Sequence, residues 1–262
     1  MAYTVISGST GGIGKAFAQS MAKSGNDLFL TGRSKEKLNA LKTQLEQINS
    51  EIVIEIFPCQ LLSESDRVEM FNYIDQKGIT FNRLINVAGV DIQKGFSEYT
   101  TDKVIFQTRV NCESTVVITH EVLKRFTNGG EIITISSMSG VTPMPYFALY
   151  SATKSMLTNF FYSLRKELKE RKIKVTTVLP GGVYTRPDIC NDIKGQGLWG
   201  KLSAKTPEFV VKKSLKAVRK NKAKCIPGFF NKLLYFIMKI TPLSLQTAFI
   251  KNRWKKQTKD AF

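Results

Sequence analysis

The sequence predicts an α/β protein built on a doubly wound parallel sheet of about seven strands, with helices on both faces and a C-terminal helical extension. Short β-rich runs alternate with helical stretches from the start of the chain to about residue 228. Several of these runs are almost continuously apolar, which is typical of parallel strands covered on both faces. The Gly and Pro clusters fall at the ends of the runs, where turns are expected.

The strand candidates follow one another with helices between them. In chain order they are residues 3–7, 27–33, 51–57, 83–89, 131–137, 174–180 and 224–228. Between the second and the third, Leu38, Leu41 and Leu45 recur at helical spacing, which predicts a helix with one buried face. We expect residues 1–228 to form one domain, and residues 229–262 to form a basic, aromatic helical extension of it.

The chain is strongly basic, and much of the excess lies near its C-terminal end. Of 262 residues, 39 are Lys or Arg and 21 are Asp or Glu. Residues 212–259 contain fourteen Lys or Arg and no acidic residue, so this region faces either an anionic partner or water. Because no recognition motif accompanies the charge, nucleic acid is not the expected partner.

Cysteine content and hydropathy indicate a cytoplasmic protein. The four cysteines, Cys59, Cys112, Cys190 and Cys225, form no CxxC pair, so neither a zinc site nor a disulfide framework is indicated. The start of the chain has no basic leader, and the apolar run at 233–238 is far below the roughly 20 residues of a membrane span. We therefore expect any membrane contact to be peripheral, at the surface.

A glycine-rich turn follows the first strand candidate. Residues 7–14 read SGSTGGIG and lead directly into a helical stretch. Such a turn lets backbone N–H groups and a helix N-terminus meet a pyrophosphate, and glycine is needed where a Cβ would block the approach. Taken alone, the cluster also fits a flexible turn between a strand and a helix. Its spacing differs from the GxGxxG of ordinary dinucleotide-binding folds.

The glycine turn resembles the TGxxxGIG signature of the short-chain dehydrogenase/reductase family, with Ser7 in place of the usual Thr. NVAG at 86–89 is similar to the family's NNAG, and PGGVYT at 180–185 is similar to its PGxVxT. Gln60 departs from the Asp that is common beside the adenine. The resemblance covers nearly all of residues 3–190, and it implies a Rossmann-type domain that binds a nicotinamide dinucleotide and carries an oxidoreductase site.

The resemblance also implies which residues bind the cofactor: Gly8, Ser9, Thr10, Gly12, Ile13, Gly14, Arg33, Asn86, Ala88, Gly89, Tyr150, Lys154, Pro180, Gly181, Val183 and Thr185. The end of the second strand decides between the two dinucleotides, because NAD sites place a carboxylate there and NADP sites a cation. Gly32 stands in the acidic place and Arg33 follows it. A guanidinium matches a phosphate in charge and geometry, so the sequence favours NADP. Lys35 and Lys37 fit a solvated helix start equally well.

Tyr150 and Lys154 are one helical turn apart, so both side chains can reach one site. Lowering the pKa of a phenol from near 10 to about 7 requires roughly 4 kcal/mol. One ammonium about 4 Å away, at an effective dielectric constant near 20, supplies approximately that much. The spacing therefore predicts an acidified phenol that protonates a substrate oxygen while hydride reaches the carbon.

The family pattern places a serine thirteen residues before the tyrosine, which selects Ser137 over Ser136 and Ser139. Its implied role is to hold the substrate carbonyl. Asn111 resembles the family's helix asparagine that holds a proton-relay water, although a buried amide that caps backbone is an equal interpretation. The only histidine, His120, lies in a predicted helix with no motif around it, so a Ser-His-Asp hydrolase is unsupported, and no metal site is expected.

Residues 184–205 lack clean periodicity, and their length favours a lid over the substrate. The predicted substrate-binding residues are Met138, Met144, Tyr184 and Trp199, which fit a lipophilic ketone of steroid or fatty-acyl type but also fit a core. The expected reaction is NADPH-dependent reduction of that ketone in a homodimer or homotetramer. A non-catalytic protein that senses dinucleotide or binds a lipid surface on the same fold is the alternative.

Residues 229–262 are expected to form two helices divided at Pro242, with aromatic residues between cations. In one interpretation this pair lies on an anionic membrane, with Phe229, Phe230 and Phe236 in the apolar boundary. In the other, it folds over the substrate pocket or into a dimer.

Overall fold

A computed structural model describes residues 2–195 and 197–254. Its strands are β1 (Ala2–Ser7), β2 (Leu28–Gly32), β3 (Ile54–Pro58), β4 (Thr80–Asn86), β5 (Phe126–Ile135), β6 (Ile173–Val178) and β7 (Lys224–Cys225). They form one sheet that is parallel throughout and has the strand order β3-β2-β1-β4-β5-β6-β7. The predicted doubly wound α/β fold with seven strands is confirmed.

The helices are α1 (Gly12–Lys23), α2 (Lys35–Ile48), α3 (Glu64–Gln76), α4 (Thr101–Thr108), α5 (Ser114–Lys124), α6 (Ala148–Glu167), α7 (Pro187–Gly195), α8 (Gly197–Ser203), α9 (Pro207–Arg219), α10 (Phe229–Ile240) and α11 (Leu243–Trp254). Buried side chains of α1, α2 and α9 join one apolar cluster, and those of α3, α5 and α6 join another. Val5 and Ile6 are adjacent in β1 and belong to different clusters, so the clusters cover opposite faces of the sheet.

Four strands end two or three residues earlier than the sequence indicated, and one of them, predicted over 224–228, ends at Cys225. The predicted strands 83–89, 131–137 and 174–180 end at Asn86, Ile135 and Val178. The residues beyond these ends leave the sheet because they form the loops that carry the family motifs. Apolar patterning continues into these loops, so it cannot reveal where the ladder of backbone hydrogen bonds stops.

The predicted lid over residues 184–205 contains two short helices, α7 and α8, rather than a continuous loop. Its two ends are held together, because Val183 and Lys205 form an isolated parallel bridge. The backbone N–H of Lys205 donates to the carbonyl of Gly182 at 2.9 Å, and that of Tyr184 donates to Lys205 at 3.1 Å. The two ends of the segment are thus adjacent, and the segment lies at the carboxyl edge of the sheet.

The extension forms α10 and α11, divided at Pro242 as predicted, and residues 255–262 of it lie outside the described residues. Phe229 and Phe236 are largely exposed, as the membrane interpretation expects. Phe230 is not: its ring meets that of Trp199 at 5.2 Å, so its predicted place in a membrane boundary is wrong. Among residues 2–195 and 197–254, none of the helices has the length and hydropathy needed to cross a bilayer.

Candidate active site

A cavity of about 1130 Å³ opens at the carboxyl ends of four strands. Gly8, Val87, Ser136 and Pro180, which follow β1, β4, β5 and β6 within two residues, all line it. β1 and β4 are neighbours whose chains leave toward opposite faces of the sheet, and this reversal of strand order creates a crevice where α/β proteins bind ligands.

The glycine turn lies between the two other family motifs. Gly8 has φ of +67°, and a Cβ there would lie 2.8 Å from the backbone nitrogen of Ala88. Only glycine satisfies both this conformation and this close approach. A Cβ on Gly12 would lie 2.8 Å from Cβ of Thr185. Residues 7–14, 86–89 and 180–185 therefore meet at the start of α1, where backbone N–H groups can bind a phosphate.

Most of the predicted cofactor residues line this cavity: Gly8, Thr10, Gly12, Ile13, Arg33, Ala88, Gly89, Tyr150, Lys154, Pro180, Gly181, Val183 and Thr185. The other three lie behind it and shape the turn. The Ser9 hydroxyl donates to the carbonyl of Thr31 at 3.1 Å, and Gly14 lies against the backbone of Gly8. The Asn86 amide donates to the hydroxyls of Thr119 and Thr134. The side chains of Ser9 and Asn86 are thus engaged within the protein, and Gly14 permits the close packing of the turn.

The second strand ends in a basic corner of the cavity. Gly32, Arg33 and Lys37 all line it, at the N-terminus of α2. The Ser34 hydroxyl caps that helix by accepting a hydrogen bond from the N–H of Lys37. Lys37, whose role the sequence left open, therefore belongs to the cavity wall together with Arg33.

Ser137 and Tyr150 both line the cavity. The neighbouring Ser136 has another function, since its hydroxyl donates to the carbonyl of Lys154 at 2.8 Å inside the protein. The third serine, Ser139, contributes its backbone N–H, which donates to the Ser137 hydroxyl at 3.0 Å. All three serines line the cavity, but the Ser136 hydroxyl is already bonded to backbone, and the choice of Ser137 as the serine that holds the substrate stays a prediction.

Burial raises the pKa of Tyr150 above its ordinary value of 10, and the negative charge of Asp91 raises it further. The hydrogen bond with Ser137 lowers this pKa but does not reverse the shift. Lys154 Nζ lies over the face of the Tyr150 ring, 5.7 Å from its centroid. The predicted acidification of the phenol by Lys154 is therefore wrong, because desolvation dominates the shift and Lys154 is not among the groups that lower this pKa.

Lys154 is itself almost fully buried, and its Nζ donates to the carbonyl of Ile135 at 3.1 Å. Burial lowers the pKa of Lys154 to about 8, although the charge of Asp91 partly opposes that shift. A Cβ on Gly89 would lie 3.1 Å from Nζ, so the ammonium lies directly beneath the loop that follows β4. Tyr150 and Lys154 thus share a face of α6 and both reach the cavity.

Asn111 is fully buried in a π-helical turn, Arg109–Glu113, between α4 and α5. Its amide accepts from the N–H of Val90 at 2.8 Å and donates to the carbonyl of Val90 at 2.9 Å and to the Thr153 hydroxyl at 3.0 Å. These contacts are those of a residue that positions backbone, which was one of the two interpretations. The proton-relay role stays a prediction.

Comparison with known proteins assigns the family. The family model described as short chain dehydrogenase matches residues 2–190, well over half of the chain. The chain belongs to the short-chain dehydrogenase family. A 3-oxoacyl-[acyl-carrier-protein] reductase of Rattus norvegicus is 30% identical over 181 residues, which cover 69% of this chain and 75% of the relative.

Solved structures agree on the fold of this short-chain dehydrogenase. A 7β-hydroxysteroid dehydrogenase superposes with a TM-score of 0.82 at 21% identity, covering 95% of this chain and 96% of that one. A short-chain dehydrogenase from Sphingobium yanoikuyae in complex with NADPH gives a TM-score of 0.76 at 22% identity, with both chains covered completely. At these identities the likeness concerns the fold alone.

The far half of the cavity is apolar and is formed by the lid and the extension. Three of the predicted substrate residues, Met138, Met144 and Trp199, line it. Tyr184 is not among the lining residues of the described chain, because it belongs to the bridge that closes the base of the lid. Phe147, before α6, connects this half to Tyr150: the centroids of the two rings are 4.5 Å apart.

The extension covers this half, as the second interpretation of the basic tail expected. Ile250 of α11 belongs to a small buried cluster with Met144 and Phe147, and the Trp254 ring stacks on Phe147 with centroids 6.1 Å apart. The Arg253 guanidinium lies 5.0 Å from the centroid of the Trp199 ring. Lid and extension therefore form one wall of the cavity.

Sequence reasoning missed two polar residues at this site. Asp91 lies two positions after the NVAG motif, lines the cavity, and acts through its charge on Tyr150 and Lys154. Asn231 is almost fully buried at the start of α10 and donates to the carbonyls of Ser203 and Pro227 at 2.9 and 2.8 Å. A polar residue within the apolar inner face of α10 was the available signal for Asn231.

Proposed function

We propose that this short-chain dehydrogenase uses NADPH to reduce a lipophilic ketone, of steroid or 3-oxoacyl type, to a secondary alcohol. The observation that carries the proposal is that Ser137 and Tyr150 line one cavity together with Lys154 and the glycine turn. They lie between the glycine turn and an apolar half-cavity, so a carbonyl group beside them has space for a nicotinamide on one side and for a hydrocarbon body on the other.

In this reaction bound NADPH supplies a hydride to the carbonyl carbon. The Ser137 hydroxyl donates a hydrogen bond to the carbonyl oxygen and fixes its position. Tyr150 then donates its phenolic proton to the oxygen as negative charge develops there. Lys154, beneath the loop that follows β4, would hold the ribose hydroxyls of the bound cofactor.

The raised pKa of Tyr150 keeps the phenol protonated in the ligand-free protein, and the protonated phenol is the form that reduction of a ketone requires. A phenol with a raised pKa stays protonated throughout the physiological range, so the proton is available when a ketone binds. The alkoxide formed by hydride addition is a stronger base than a phenolate, so the transfer remains favourable. Oxidation of an alcohol would instead need the phenolate, which burial and Asp91 disfavour.

NADP is proposed over NAD because the corner after β2 is basic. Arg33 and Lys37 line the cavity at the capped N-terminus of α2, and Gly32 leaves no carboxylate to repel a 2′-phosphate. The related fold in complex with NADPH supports this choice. The apolar wall and the names of the relatives, a 3-oxoacyl reductase and a hydroxysteroid dehydrogenase, support the substrate class.

The direct test is Tyr150→Phe, assayed by NADPH oxidation across a panel of steroid and 3-oxoacyl ketones. We expect kcat to fall at least a hundredfold while NADPH binding is retained, since the phenyl ring keeps its contact with Phe147. Tyr162→Phe is the matched control, because Tyr162 is 47% exposed on the same helix. A parent protein that binds NADPH but shows no turnover that Tyr150→Phe removes would favour the non-catalytic alternative.

The cofactor choice is tested by Arg33→Ala. Loss of a charge-assisted hydrogen bond of about 1.5–3 kcal/mol should weaken NADPH binding roughly 10- to 100-fold and leave NADH binding nearly unchanged. Lys35→Ala is the control, since Lys35 is exposed at the same helix start and belongs to no part of the cavity wall of the described chain. Equal losses for both dinucleotides in Arg33→Ala would contradict an NADP site. A homodimer or homotetramer in the cytoplasm stays a prediction, which light scattering and fractionation would test.

A further inference from the structure

Exposed apolar side chains concentrate on the extension. Among the described residues, nine large apolar side chains are more than half exposed, and six of them belong to α10 and α11. We call these six the apolar face: Phe229, Phe236, Ile240, Leu243, Leu245 and Phe249, with exposed fractions of 82, 62, 69, 54, 62 and 57%. Scattered single exposures need no explanation, but a group of this size marks a surface that contacts something apolar.

α10 is apolar on two opposite sides. Its inner side carries Phe230, Leu234 and Met238, which recur every four residues and line the cavity. Phe229, Phe236 and Ile240 recur at spacings of seven and four residues, which puts them on one outer stripe, and none of the three belongs to the cavity wall of the described chain. The outer stripe is therefore not needed to cover the substrate site, and its exposure requires another partner.

Cations accompany the apolar face. Residues 229–254 include Lys232, Lys239, Lys251 and Arg253 and no acidic residue. Lys232, Lys239 and Lys251 are exposed, and the Lys239 ammonium lies 5.7 Å from the centroid of the Tyr235 ring. Aromatic and aliphatic side chains flanked only by cations match an interfacial helix, whose apolar side enters the headgroup boundary while Lys and Arg meet anionic lipid.

We propose that the apolar face of α10 and α11 docks on the surface of an anionic lipid bilayer. A second copy of the chain fits less well, because a symmetric contact through this face would bring the cations of both copies together with no carboxylate of this segment to neutralise them. Neither helix is long enough to span a bilayer, so the contact is peripheral. The positive charge of residues 229–254 and the apolar side chains exposed on them both favour an anionic bilayer as the partner.

Docking would also place the cavity rim at the membrane. Leu245 and Phe249 belong to the apolar face and line the cavity as well, and Leu233 and Ile237 are partly exposed along the same rim. A lipophilic ketone dissolved in the bilayer could then enter without crossing water. This last step rests on the proposed function, whereas the docking itself does not.

The test is flotation of the full chain with vesicles of phosphatidylcholine alone or mixed with phosphatidylserine. We expect binding to the anionic vesicles only, weakened by added salt. The triple variant Phe229→Ser/Phe236→Ser/Ile240→Ser should lose binding. Val68→Ser/Ile105→Ser is the matched control, because both side chains are about half exposed on other helices.

A second set separates the charge from the apolar contact. Each lysine near an anionic surface strengthens partitioning about fivefold, so Lys232→Gln/Lys239→Gln/Lys251→Gln should weaken binding about a hundredfold. Lys77→Gln/Lys166→Gln/Lys169→Gln, on exposed lysines elsewhere, should leave it nearly unchanged. Circular dichroism and NADPH binding would establish that each variant is folded.

Two results would overturn the proposal. One is a folded parent protein that fails to float with anionic vesicles. The other is an apolar triple variant that keeps vesicle binding while light scattering shows its particle mass halved, which would assign the face to a second copy. Because flotation needs no turnover, Tyr150→Phe should float like the parent, and a failed reductase assay would not be mistaken for failed docking.

Discussion

Raising the pH through 8 should discharge Lys154 and slow the productive capture of NADPH. The pKa of this lysine is lowered from 10.5 to about 8 by burial, and the ammonium is charged below that value and neutral above it. The contribution of the charge to ribose binding is therefore present at neutral pH and lost as the pH rises through 8. Tyr150, whose pKa is raised, should not titrate in this range.

The size of the effect follows from the shift. A displacement from 10.5 to about 8 corresponds to about 3 kcal/mol of preference for the neutral amine. At pH 9 about one Lys154 in ten would carry a charge, whereas an ordinary lysine would be almost fully charged. If only the charged form captures NADPH productively, kcat/KM for NADPH should fall about tenfold for each pH unit above 8.

The assay is the pH dependence of kcat/KM for NADPH at a saturating concentration of ketone, which reports ionisations of the free enzyme. Lys154→Arg is the decisive comparison, because a guanidinium keeps its charge throughout the range and should remove the alkaline decrease even at lower overall activity. A decrease centred near 10.5 in the parent, or one near 8 that persists in Lys154→Arg, would refute the reasoning.

Two further predictions concern the wall formed by the lid and the extension. Asn231→Ala removes the hydrogen-bond donor from the carbonyls of Ser203 and Pro227 and should lower the free energy of unfolding by about 2–3 kcal/mol in chemical denaturation. Asn252→Ala, at an exposed position of α11, is the control and should change that free energy little. Trp199→Ala removes the ring contacts to Phe230 and Phe249 and should raise KM for a bulky ketone roughly tenfold, while KM for NADPH stays unchanged. Leu202→Ala, at an exposed position of α8, is the control and should leave both KM values unchanged. An unchanged unfolding curve in the first case, or equal changes in both KM values in the second, would contradict the structural reasoning.

The sequence predicted the features that depend on the order and spacing of residues within one segment of the chain. Short apolar runs located all seven strands, because both faces of a parallel sheet are buried, and the helical spacing of leucines located α2, because one face of that helix is buried. The spacing of Ser137, Tyr150 and Lys154 identified residues that the structure brings to one cavity. Strand ends were less accurate, because the loops that carry the motifs are as apolar as the strands they follow.

The features that sequence reasoning missed depend on contacts between distant segments. The pKa of Tyr150 is set mainly by burial and then by Asp91, which is 59 positions away along the chain. A calculation with one tyrosine and one lysine contains neither effect, so it gave the wrong sign. Asn231 likewise acquires its role only when α10 lies against the end of α8.

The extension shows why periodicity could not decide between pocket cover and membrane contact. α10 has apolar stripes on both sides, and the sequence alone does not say which one faces inward. The structure assigns Phe230 to the cavity and leaves Phe229 and Phe236 outside, so the two interpretations apply to different faces of one helix. An apolar outer stripe without a partner would favour aggregation, and its position beside Lys232 and Lys239 supports the proposed contact with a surface that is both apolar and anionic.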